Sequence, residues 1–508
     1  RPESHAVFIY PLKALARDQL KTVKSITSLL TGHNITVGVY DGDTSPYFRK
    51  KMKNTPPNIL ITNPDMLHSA FLPFHSNWEG FLKNLKWIVV DEFHTYRGVF
   101  GSHVAQIFRR FNRIANFYRA DPVYIASSAT IANPTEFSKN STGKDFSLVA
   151  QNGAPDPGRH FLFLNPPVSP YTVSVELIRR ALQRGLKTIT FTKSRRVTEL
   201  IHSWLVEKEQ SAASRVSSYR SGFLPSERRE IETNLANGSI QAVISTSALE
   251  VGIDIGGLDI CILSGYPGTI INTWQRGGRA GRREEPGLVI LLAQHDALDQ
   301  YFMKNPDDFF KREFEKAVID PLNSFILRDH LLCAAAELPL SPNDIFFPSS
   351  LVSLPLKRLL EAGSLLQAEQ EELYFAANRR PHRFVDIRST GNVYTIIEKE
   401  TKKIIGTISG TRAFAECHPG AVYLHKAAQY LIDSFDFSTK DIRVTHVSVP
   451  YFTKAKTEKE TEILETTGSK PVDNFIVRKG RLRVTETFFE YEKRKVSGQV
   501  LISTHSLT

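Results

Sequence analysis

Two acidic residues follow an apolar run, and their spacing could hold a divalent metal ion. Residues 87–90 read as a buried strand, with Asp91 and Glu92 at its carboxyl end. The chain turns where such a strand ends, so both carboxylates can converge on one point. Magnesium bound to a nucleotide is usually held by one or two carboxylates together with the phosphates, and a neighbouring acid can orient or deprotonate water. We predict a magnesium ion held through water by both acids, with Asp91 as its principal residue and Glu92 as the general base.

An isolated pair of acids has a simpler interpretation, a solvated acidic turn. The apolar residues before Asp91 and the position of His94, two residues after Glu92, favour the metal site. Ser128 and Thr130 follow another apolar run, where a strand-ending turn is the default interpretation. Small hydroxyl groups there could hydrogen-bond the acids and report their state to a second domain. We therefore predict that His94, Ser128 and Thr130 couple two domains.

A cluster of arginines separated by glycines provides the complementary charge. Gln275, Arg279 and Arg282 lie in a segment with glycines at 277, 278 and 281. The planar guanidinium fork suits phosphate oxygens better than a lysine does, and such groups neutralise a phosphoryl group during its transfer. The alternative is a basic surface turn or an RNA-contacting loop. We predict catalytic roles for Gln275, Arg279 and Arg282, with both arginines also binding the nucleotide.

Further polar residues stand where other apolar runs end. Gly252 provides a turn after the run at residues 242–245, and Asp254 could position an arginine or the ribose of a nucleotide. We predict that both residues bind the nucleotide. Helix N-termini, hydroxyl groups and backbone N–H groups at such positions commonly hold nucleic-acid phosphates without reading sequence. We predict nucleic-acid contacts at these positions: Pro11, Lys13, Thr62, Pro64, Asp65, Ser194, Arg195 and Thr246.

The chain that positions these residues alternates short apolar runs with helical segments. This pattern extends from residue 6 to about residue 150, and it then restarts and continues to about residue 293. This rhythm indicates two tandem α/β domains with parallel sheets, and ligands bind in the cleft between such domains. Residues 299–380 then look helical with a short strand, which fits a winged-helix module. Later residues alternate β-branched and polar types, with a helix expected at 421–435 and a solvated loop at 453–470. The predicted domains are 1–155, 156–298, 299–382 and 383–508.

Composition narrows the class of protein further. The 508 residues carry a formal net charge of +11, which suggests an acidic partner, most commonly nucleic acid. A basic enzyme without such a partner is the alternative. Cys261, Cys333 and Cys417 lie far apart without a C-x-x-C pair, which excludes a disulfide framework and a zinc tetrad within these residues. No apolar run reaches the ~20 residues that a membrane-spanning helix needs.

Taken in order, these motifs resemble those of superfamily 2 helicases of the D-E-x-H type. The matching positions are Asp91, Glu92, Ser128, Thr130, Gly252, Asp254, Gln275, Arg279 and Arg282. The segments 96–104, 219–223 and 418–425 look more specifically like the bacterial mitomycin-repair helicases and their fungal RecQ-like relatives.

This resemblance implies two RecA-like domains, a winged-helix-like module and a β-rich C-terminal domain. It also implies ATP and Mg²⁺ as cofactors and 3′→5′ movement on single-stranded or forked DNA during repair. A zinc-binding segment with four cysteines is absent here, and we expect it beyond Thr508. We expect a cytoplasmic bacterial protein that associates with the nucleoid when bound to DNA.

The sequence departs from the family in one respect, because it contains no G-x-x-x-x-G-K-[ST] phosphate loop. The nearest approach, Gly143-Lys144-Asp145, lacks the hydroxyl residue and the upstream glycine. Family members carry this loop before the segment where this chain starts, so we expect the first domain to lack its first strand and phosphate loop. These residues alone should bind nucleic acid but hydrolyse ATP poorly. Three alternatives remain: an RNA helicase with the same core, a phage-defence translocase, and a non-catalytic DNA-binding protein that has lost the loop.

Overall fold

The computed structural model describes residues 3–30, 32, 34–151, 153, 158–250, 257–281, 286–368, 372–388, 393–496 and 499–507. Its first domain is a parallel sheet in the order β2-β3-β1-β4-β5. Apolar side chains pack against both faces of this sheet, since helices cover it on both sides. The strands are β1 (His5–Ile9), β2 (Val37–Val39), β3 (Ile59–Thr62), β4 (Leu85–Val90) and β5 (Val123–Ala126). The helices are α1 (Lys13–Ser28), α2 (Pro46–Asn54), α3 (Pro64–Met66), α4 (Glu79–Lys83), α5 (Gly98–Phe117) and α6 (Pro134–Thr142), with a π-helical turn at Leu67–Phe71 and 3₁₀ turns at Leu72–Trp78 and Phe93–Thr95.

The second domain is also a parallel sheet, in the order β6-β11-β10-β7-β9-β8. Two apolar clusters cover its two faces. The strands are β6 (Arg159–Leu164), β7 (Thr188–Thr192), β8 (Val216–Tyr219), β9 (Ala242–Ser245), β10 (Ile260–Ser264) and β11 (Gly287–Leu292). The helices are α7 (Pro170–Gln183), α8 (Arg195–Lys208), α9 (Pro225–Ala236), α10 (Ile270–Gly277), α11 (Ala297–Lys304) and α12 (Pro306–Lys311), with 3₁₀ turns at Gln210–Ala212 and Ser247–Leu249.

Two smaller units follow. The helical module pairs α13 (Ser324–Glu337) and α14 (Ser349–Glu361) with the hairpin of β12 (Leu365–Gln367) and β13 (Tyr374–Ala376), then a 3₁₀ turn at Pro381–Phe384. The C-terminal unit holds a five-stranded sheet in the order β15-β14-β18-β17-β16 and a three-stranded ribbon. Its elements are β14 (Val393–Glu398), β15 (Ile404–Ser409), α15 (Thr411–Glu416), β16 (Val422–His425), β17 (Ala428–Asp436), β18 (Asp441–Val447), β19 (Tyr451–Val472), β20 (Phe475–Lys495) and β21 (Leu501–Ser506).

The predicted order of two α/β domains, a winged-helix-like module and a β-rich C-terminal region is confirmed by these elements. The domain boundaries stay predictions, and the first of them falls among residues 154–157, outside the described part of the chain. The proline-rich stretch at residues 155–170 has the composition of a domain linker, and the sequence did not indicate that it also contains β6. That strand lies between the prolines and pairs only with β11 at the edge of the sheet, so its sequence signal is short.

Two predictions for the C-terminal region are wrong. The helix expected at 421–435 is the hairpin of β16 and β17, because Lys426 and Ala427 adopt positive φ angles of 50° and 63° and form a two-residue turn. Such turns match the twist of a hairpin, yet the usual Asn-Gly signal is missing here. The loop expected at 453–470 belongs to β19. Its side chains are exposed as expected, but cross-strand pairs such as Arg483 with Glu462 (2.9 Å) hold it to β20.

The helical module is fastened to the first domain through α5. The buried Arg110 guanidinium pairs with Glu337 of α13, with Nε donating to a carboxylate oxygen at 3.0 Å. Its Nη1 also donates to His68 Nδ1 (3.0 Å) and to His330 Nδ1 (3.1 Å). Burial lowers the pKa of His68 to about 3, so its ring is neutral and can accept this bond. These two units therefore form one packed body.

The C-terminal sheet is fastened to the second domain in the same way. The buried Arg220 donates to Glu199 (2.8 Å) within its own domain and to Tyr423 Oη (2.9 Å) and the Leu424 carbonyl (2.7 Å) of the C-terminal sheet. Trp204 Nε1 adds a bond to the Val496 carbonyl at 2.9 Å. The chain thus consists of two composite bodies, with the cleft between the α/β domains separating them.

The Arg110–Glu337 pair provides a test of the first fastening. Glu337→Gln leaves a buried guanidinium without its counter-charge, and breaking a buried pair in this way costs about 3–5 kcal/mol. We expect a marked fall in the free energy of unfolding, measured by urea denaturation. The double variant Arg110→Met/Glu337→Met should recover most of the loss. Glu176→Gln, which breaks exposed pairs with Arg179 and Arg180, serves as the matched control and should change the free energy of unfolding little. Equal losses for the two glutamate variants would contradict the proposed strength of the Arg110–Glu337 pair.

Candidate active site at the interdomain cleft

The acid pair lies where β4 leaves the first sheet. The Asp91 N–H donates to the Ile9 carbonyl at 3.0 Å, which fixes the end of β4 beside β1. Glu92 then adopts a left-handed conformation, with φ of 50° and ψ of 44°. This conformation is uncommon for a residue with a side chain and is frequent at functional sites. Asp91 Oδ1 accepts hydrogen bonds from the Glu92 N–H (2.9 Å) and from Ser127 Oγ (2.5 Å). The turn therefore holds both carboxylates at the carboxyl edge of the sheet.

His94 connects the acids to the segment after β5. The Ala129 N–H donates to His94 Nδ1 at 3.1 Å, so the ring proton resides on Nε2. Burial and the nearby Arg97 lower the pKa of His94 to about 4, which keeps the ring neutral near pH 7. Its Nε2 lies 3.5 Å from Glu92 Oε2 and also contacts the Gln275 amide of the second domain. One neutral imidazole thus contacts the acidic turn, the Ser-Ala-Thr segment and the opposite domain.

The contact with His94 also determines which way the Gln275 side-chain amide is oriented. The His94 Nε2–H is a donor, so the amide oxygen of Gln275 must face it, since two donors cannot bond each other. Gln275 lies on α10 of the second domain, and Asn272 of the same helix accepts a bond from Arg97 Nη2 at 3.1 Å. Two side-chain hydrogen bonds therefore cross the cleft within one turn of α10.

The arginine cluster approaches the acids from the second domain. Arg279 Nη2 donates to the Glu250 carbonyl at 2.8 Å. Burial and the charge of Asp91 raise the pKa of Glu92, and the charge of Arg279 opposes them. Arg279 is thus near enough to Glu92 to act on its charge across the cleft. The other predicted nucleotide residues, Gly252, Asp254 and Arg282, lie outside the described residues.

This donor set fits a magnesium nucleotide. Asp91 accepts both of its hydrogen bonds on Oδ1, so Oδ2 is without a protein donor in the described part of the chain. A carboxylate oxygen is the ligand that Mg²⁺ prefers. Arg279 supplies positive charge on the other side, as a polyphosphate requires. The residues present therefore suit the cofactors that the sequence predicts.

Among the described residues, no group of three or more His, Cys, Asp and Glu side chains could hold a metal ion. Cys261, Cys333 and Cys417 are free and buried, and burial raises the pKa of each thiol. No helix in the described ranges has both the length and the apolar character to cross a membrane.

The predicted nucleic-acid residues of the first domain lie on neighbouring loops at the carboxyl edge of the sheet. Thr62 is buried and its hydroxyl donates to the Tyr40 carbonyl at 2.8 Å, so this side chain shapes the loop. Pro64 is buried beside it, whereas Lys13 is exposed and pairs with Asp43 at 3.2 Å. A contact between these loops and nucleic acid stays a prediction.

Arg388 joins two of these loops, which sequence reasoning did not foresee. Its guanidinium donates to both carboxylate oxygens of Asp65 (2.7–2.9 Å) and to the Pro11 carbonyl (2.6 Å). It also lies over the Phe100 ring, 4.6 Å from the centroid. The end of the winged-helix-like module therefore braces the loops that begin α1 and α3.

In the second domain three predicted residues line one polar recess of about 320 Å³: Ser194, Arg195 and Thr246. Ser194 Oγ accepts the Val197 N–H at 3.2 Å and begins α8. Arg195 donates to Ser221 Oγ at 2.8 Å, but its Nη1 is buried without an acceptor among the described residues. A buried donor of this kind costs free energy unless it finds a partner, and a phosphate oxygen would be one.

The structure also corrects one detail of the coupling prediction. Ser127, not Ser128, bonds the acid pair, while the Ser128 hydroxyl donates to the Ala129 carbonyl at 2.7 Å. Thr130 is exposed in the same segment. Adjacent serines at a strand end give no sequence signal that separates their directions. The Arg97–Asn272 bond had no sequence signal either.

Fold and site together define an ATP-dependent helicase of superfamily 2, with two RecA-like domains facing each other across a nucleotide cleft. Residues 1–137 match the DEAD/DEAH box helicase family, and residues 172–284 match the helicase conserved C-terminal domain. Residues 319–390 match the winged helix domain of the ATP-dependent helicase HRQ1. The predicted superfamily, winged-helix module and enzyme class are confirmed.

The more specific family follows from individual relatives. The chain is 39% identical to the uncharacterized ATP-dependent helicase YprA of Bacillus subtilis, over 97% of this chain and 67% of that protein. It is 32% identical to HRQ1 of Saccharomyces cerevisiae, over 99% of this chain but only 49% of that protein. The crystal structure of the DUF1998 helicase MrfA bound to DNA superposes with a TM-score of 0.88 at 40% identity, over 100% of this chain and 69% of that one. The chain belongs to this family of ATP-dependent helicases.

The contact between His94 and Gln275 can be tested in a version of this protein that carries a phosphate loop. Gln275→Ala removes the acceptor that faces His94, and partners of this kind typically affect activity about 10- to 100-fold. We expect the DNA-stimulated ATPase rate to fall by that factor, while binding of a fluorescent ATP analogue changes little. Gln300→Ala, which removes an amide bonded to Asn165 within the second domain, is the matched control. An unchanged rate in Gln275→Ala would argue against coupling through His94.

Proposed function

We propose that this chain is the motor core of an ATP-dependent DNA helicase or translocase that moves 3′→5′ on single-stranded DNA during DNA repair. The observation that carries the proposal is that His94, next to the acid pair, contacts Gln275 across the cleft, while the charge of Arg279 acts on Glu92. The resemblance to mitomycin-repair helicases supports the role in repair. A cytoplasmic protein, located on the nucleoid when it binds DNA, fits this role.

Each catalytic side chain has a distinct task in this proposal. Asp91 holds the magnesium of the nucleotide, and Glu92 accepts a proton from the attacking water. Arg279 and Arg282 bind the phosphates and offset the negative charge that develops during transfer. Magnesium, if bound there, would supply positive charge that polarises the phosphoryl group. The raised pKa of Glu92 makes it a stronger base than an ordinary glutamate.

Movement on DNA would follow from changes in the same cleft. Nucleotide binding draws the two composite bodies together, and hydrolysis lets them part. His94 reports the state of Glu92 to α10 through Gln275. On the nucleic-acid side, the loops at Pro11 and Asp65 move with one body, and the Arg195 recess moves with the other. Each closing and opening of the cleft therefore changes the distance between the two regions that are proposed to bind DNA phosphates.

DNA is the proposed nucleic acid because MrfA, at 40% identity, has been crystallised with DNA and also with DNA and AMPPNP. RNA is the competing nucleic acid to test, because the proposed contacts are to backbone phosphates, which DNA and RNA share. Competition between matched DNA and RNA oligonucleotides would separate the two. Preference for RNA would overturn this part of the proposal.

Glu92→Gln tests the catalytic assignment in a version that carries a phosphate loop. The amide cannot accept the proton, so we expect ATP hydrolysis to fall at least about 100-fold and strand separation of a forked duplex to cease. DNA binding in a gel-shift assay should stay nearly unchanged. Asp433→Asn, at an exposed carboxylate of the C-terminal sheet, is the control. Normal unwinding by Glu92→Gln would remove Glu92 from this role.

The 508 residues alone provide a second test. The sequence lacks the phosphate loop whose lysine and N–H groups cradle the β- and γ-phosphates. We expect these residues to bind single-stranded DNA while hydrolysing ATP poorly, measured by phosphate release with and without DNA. Robust Mg²⁺-dependent hydrolysis would contradict the prediction. Failure to bind DNA would contradict the proposed function itself.

A further inference from the structure

An aromatic ring of the winged-helix module stands exposed between two recesses. Phe384 ends the 3₁₀ turn Pro381–Phe384, and it is 80% exposed. It lines a recess of about 330 Å³ on one side, together with Ala376 and Pro381, and a recess of about 540 Å³ on the other. Both volumes lie in the range of ligand-binding pockets, about 300–1,000 Å³. The ring therefore forms a ridge with space on each side.

The surroundings of this ring carry positive charge. Arg379, Arg380 and Arg383 are all exposed within six residues of the sequence that ends at Phe384. Three acidic residues are also close, with Asp329 lining the smaller recess and Asp65 and Asp386 lining the larger one. Arg388 pairs with Asp65. An aromatic ring among exposed guanidinium groups is typical of surfaces that bind single-stranded nucleic acid, where bases stack and phosphates pair. A ring meant for protein packing would lie in a less charged surface, because the centres of protein interfaces are depleted of charged residues.

The turn that carries Phe384 is held in place by buried residues and hydrogen bonds. Pro381 and His382 are buried beneath it. His68 Nε2 donates to the His382 carbonyl at 3.1 Å, and the edge of the Phe74 ring meets the His382 ring at 5.9 Å. His68 in turn accepts a bond from the buried Arg110. An exposed ring on so rigid a base loses little conformational entropy when it binds.

The ridge continues the path predicted for DNA on the first domain. The larger recess is bounded by Asp65 and Ser69 on one side and by Arg383 on the other. Asp65 belongs to a loop predicted to contact nucleic acid, and Arg388 pairs with its carboxylate through three hydrogen bonds. A strand that leaves this loop therefore meets Phe384 next.

We propose that Phe384 is a stacking platform for a nucleobase of single-stranded DNA, with Arg379, Arg380 and Arg383 binding the flanking phosphates. This rests on the proposed function, because it assigns a further contact to the same DNA path. The recesses on the two sides of the ring separate consecutive bases, so a strand that passes the ridge is unstacked at this point. The ridge thus marks where bases leave the stacked geometry of a duplex.

The test measures DNA binding by the 508-residue chain, so it requires no ATP hydrolysis. The probe is a single-stranded oligonucleotide with 2-aminopurine at successive positions, because stacking on an aromatic ring changes the fluorescence of this base. Phe384→Ala should weaken binding by about 5- to 100-fold and abolish the fluorescence change at one position. Phe384→Trp, which keeps a ring, should restore both. The exposed position makes either substitution harmless to folding, and thermal unfolding of each variant verifies this.

Phe117→Ala is the matched control, since Phe117 is also exposed (58%) but ends α5, just before the amino end of β5 and therefore opposite the catalytic edge. It should bind DNA like the unaltered chain. Arg383→Gln should reduce the slope of log affinity against log salt by about 0.7, as expected for one phosphate of a single strand. Equal binding and equal fluorescence for Phe384→Ala would overturn the platform while leaving the proposed function intact. Absence of DNA binding by the unaltered chain would overturn both.

Discussion

The contacts across the cleft depend on which ring nitrogen of His94 carries its proton. The Ala129 N–H can donate to His94 only if Nδ1 is unprotonated, and burial keeps the ring neutral. The remaining proton must then point from Nε2 towards Glu92 and Gln275. A protonated ring would lose the bond to the chain after β5, and the other tautomer would lose the link to α10. The communication between nucleotide and domain movement therefore depends on a buried imidazole that does not titrate near pH 7.

The second constraint is the division of the chain into two composite bodies. Arg110 and Glu337 fasten the winged-helix module to the first domain, and Arg220 fastens the C-terminal sheet to the second. Each fastening uses a buried guanidinium, whose charge must be compensated in place. Sliding along either interface would expose an uncompensated charge, so relative motion concentrates at the nucleotide cleft. The DNA-facing ring of Phe384 accordingly moves with the acid pair.

Local sequence determined much of this arrangement. The position of the acids after residues 87–90 could be read directly, because an apolar run ending in charged residues specifies a strand and its carboxyl edge. Contacts between distant segments could not be read. Arg388 bonds Asp65 across more than 300 residues, and no feature of the sequence around either residue indicates that the two are in contact. The turn at Lys426 was missed for a different reason, since its left-handed backbone is imposed by the hairpin and not by a glycine.

The long ribbon of β19 and β20 gives the second body an extended arm. Each strand has more than twenty residues, which at about 3.4 Å per residue corresponds to a reach of roughly 70 Å. Trp204 anchors the base of this arm to the second domain. A cleft rotation of about 10°, smaller than the subunit rotation of haemoglobin, would move the basic tip near Lys470 and Arg478 by roughly 12 Å. A small rotation at the cleft therefore produces a large displacement at the tip, because the arm is long. This displacement is comparable with the width of a DNA major groove.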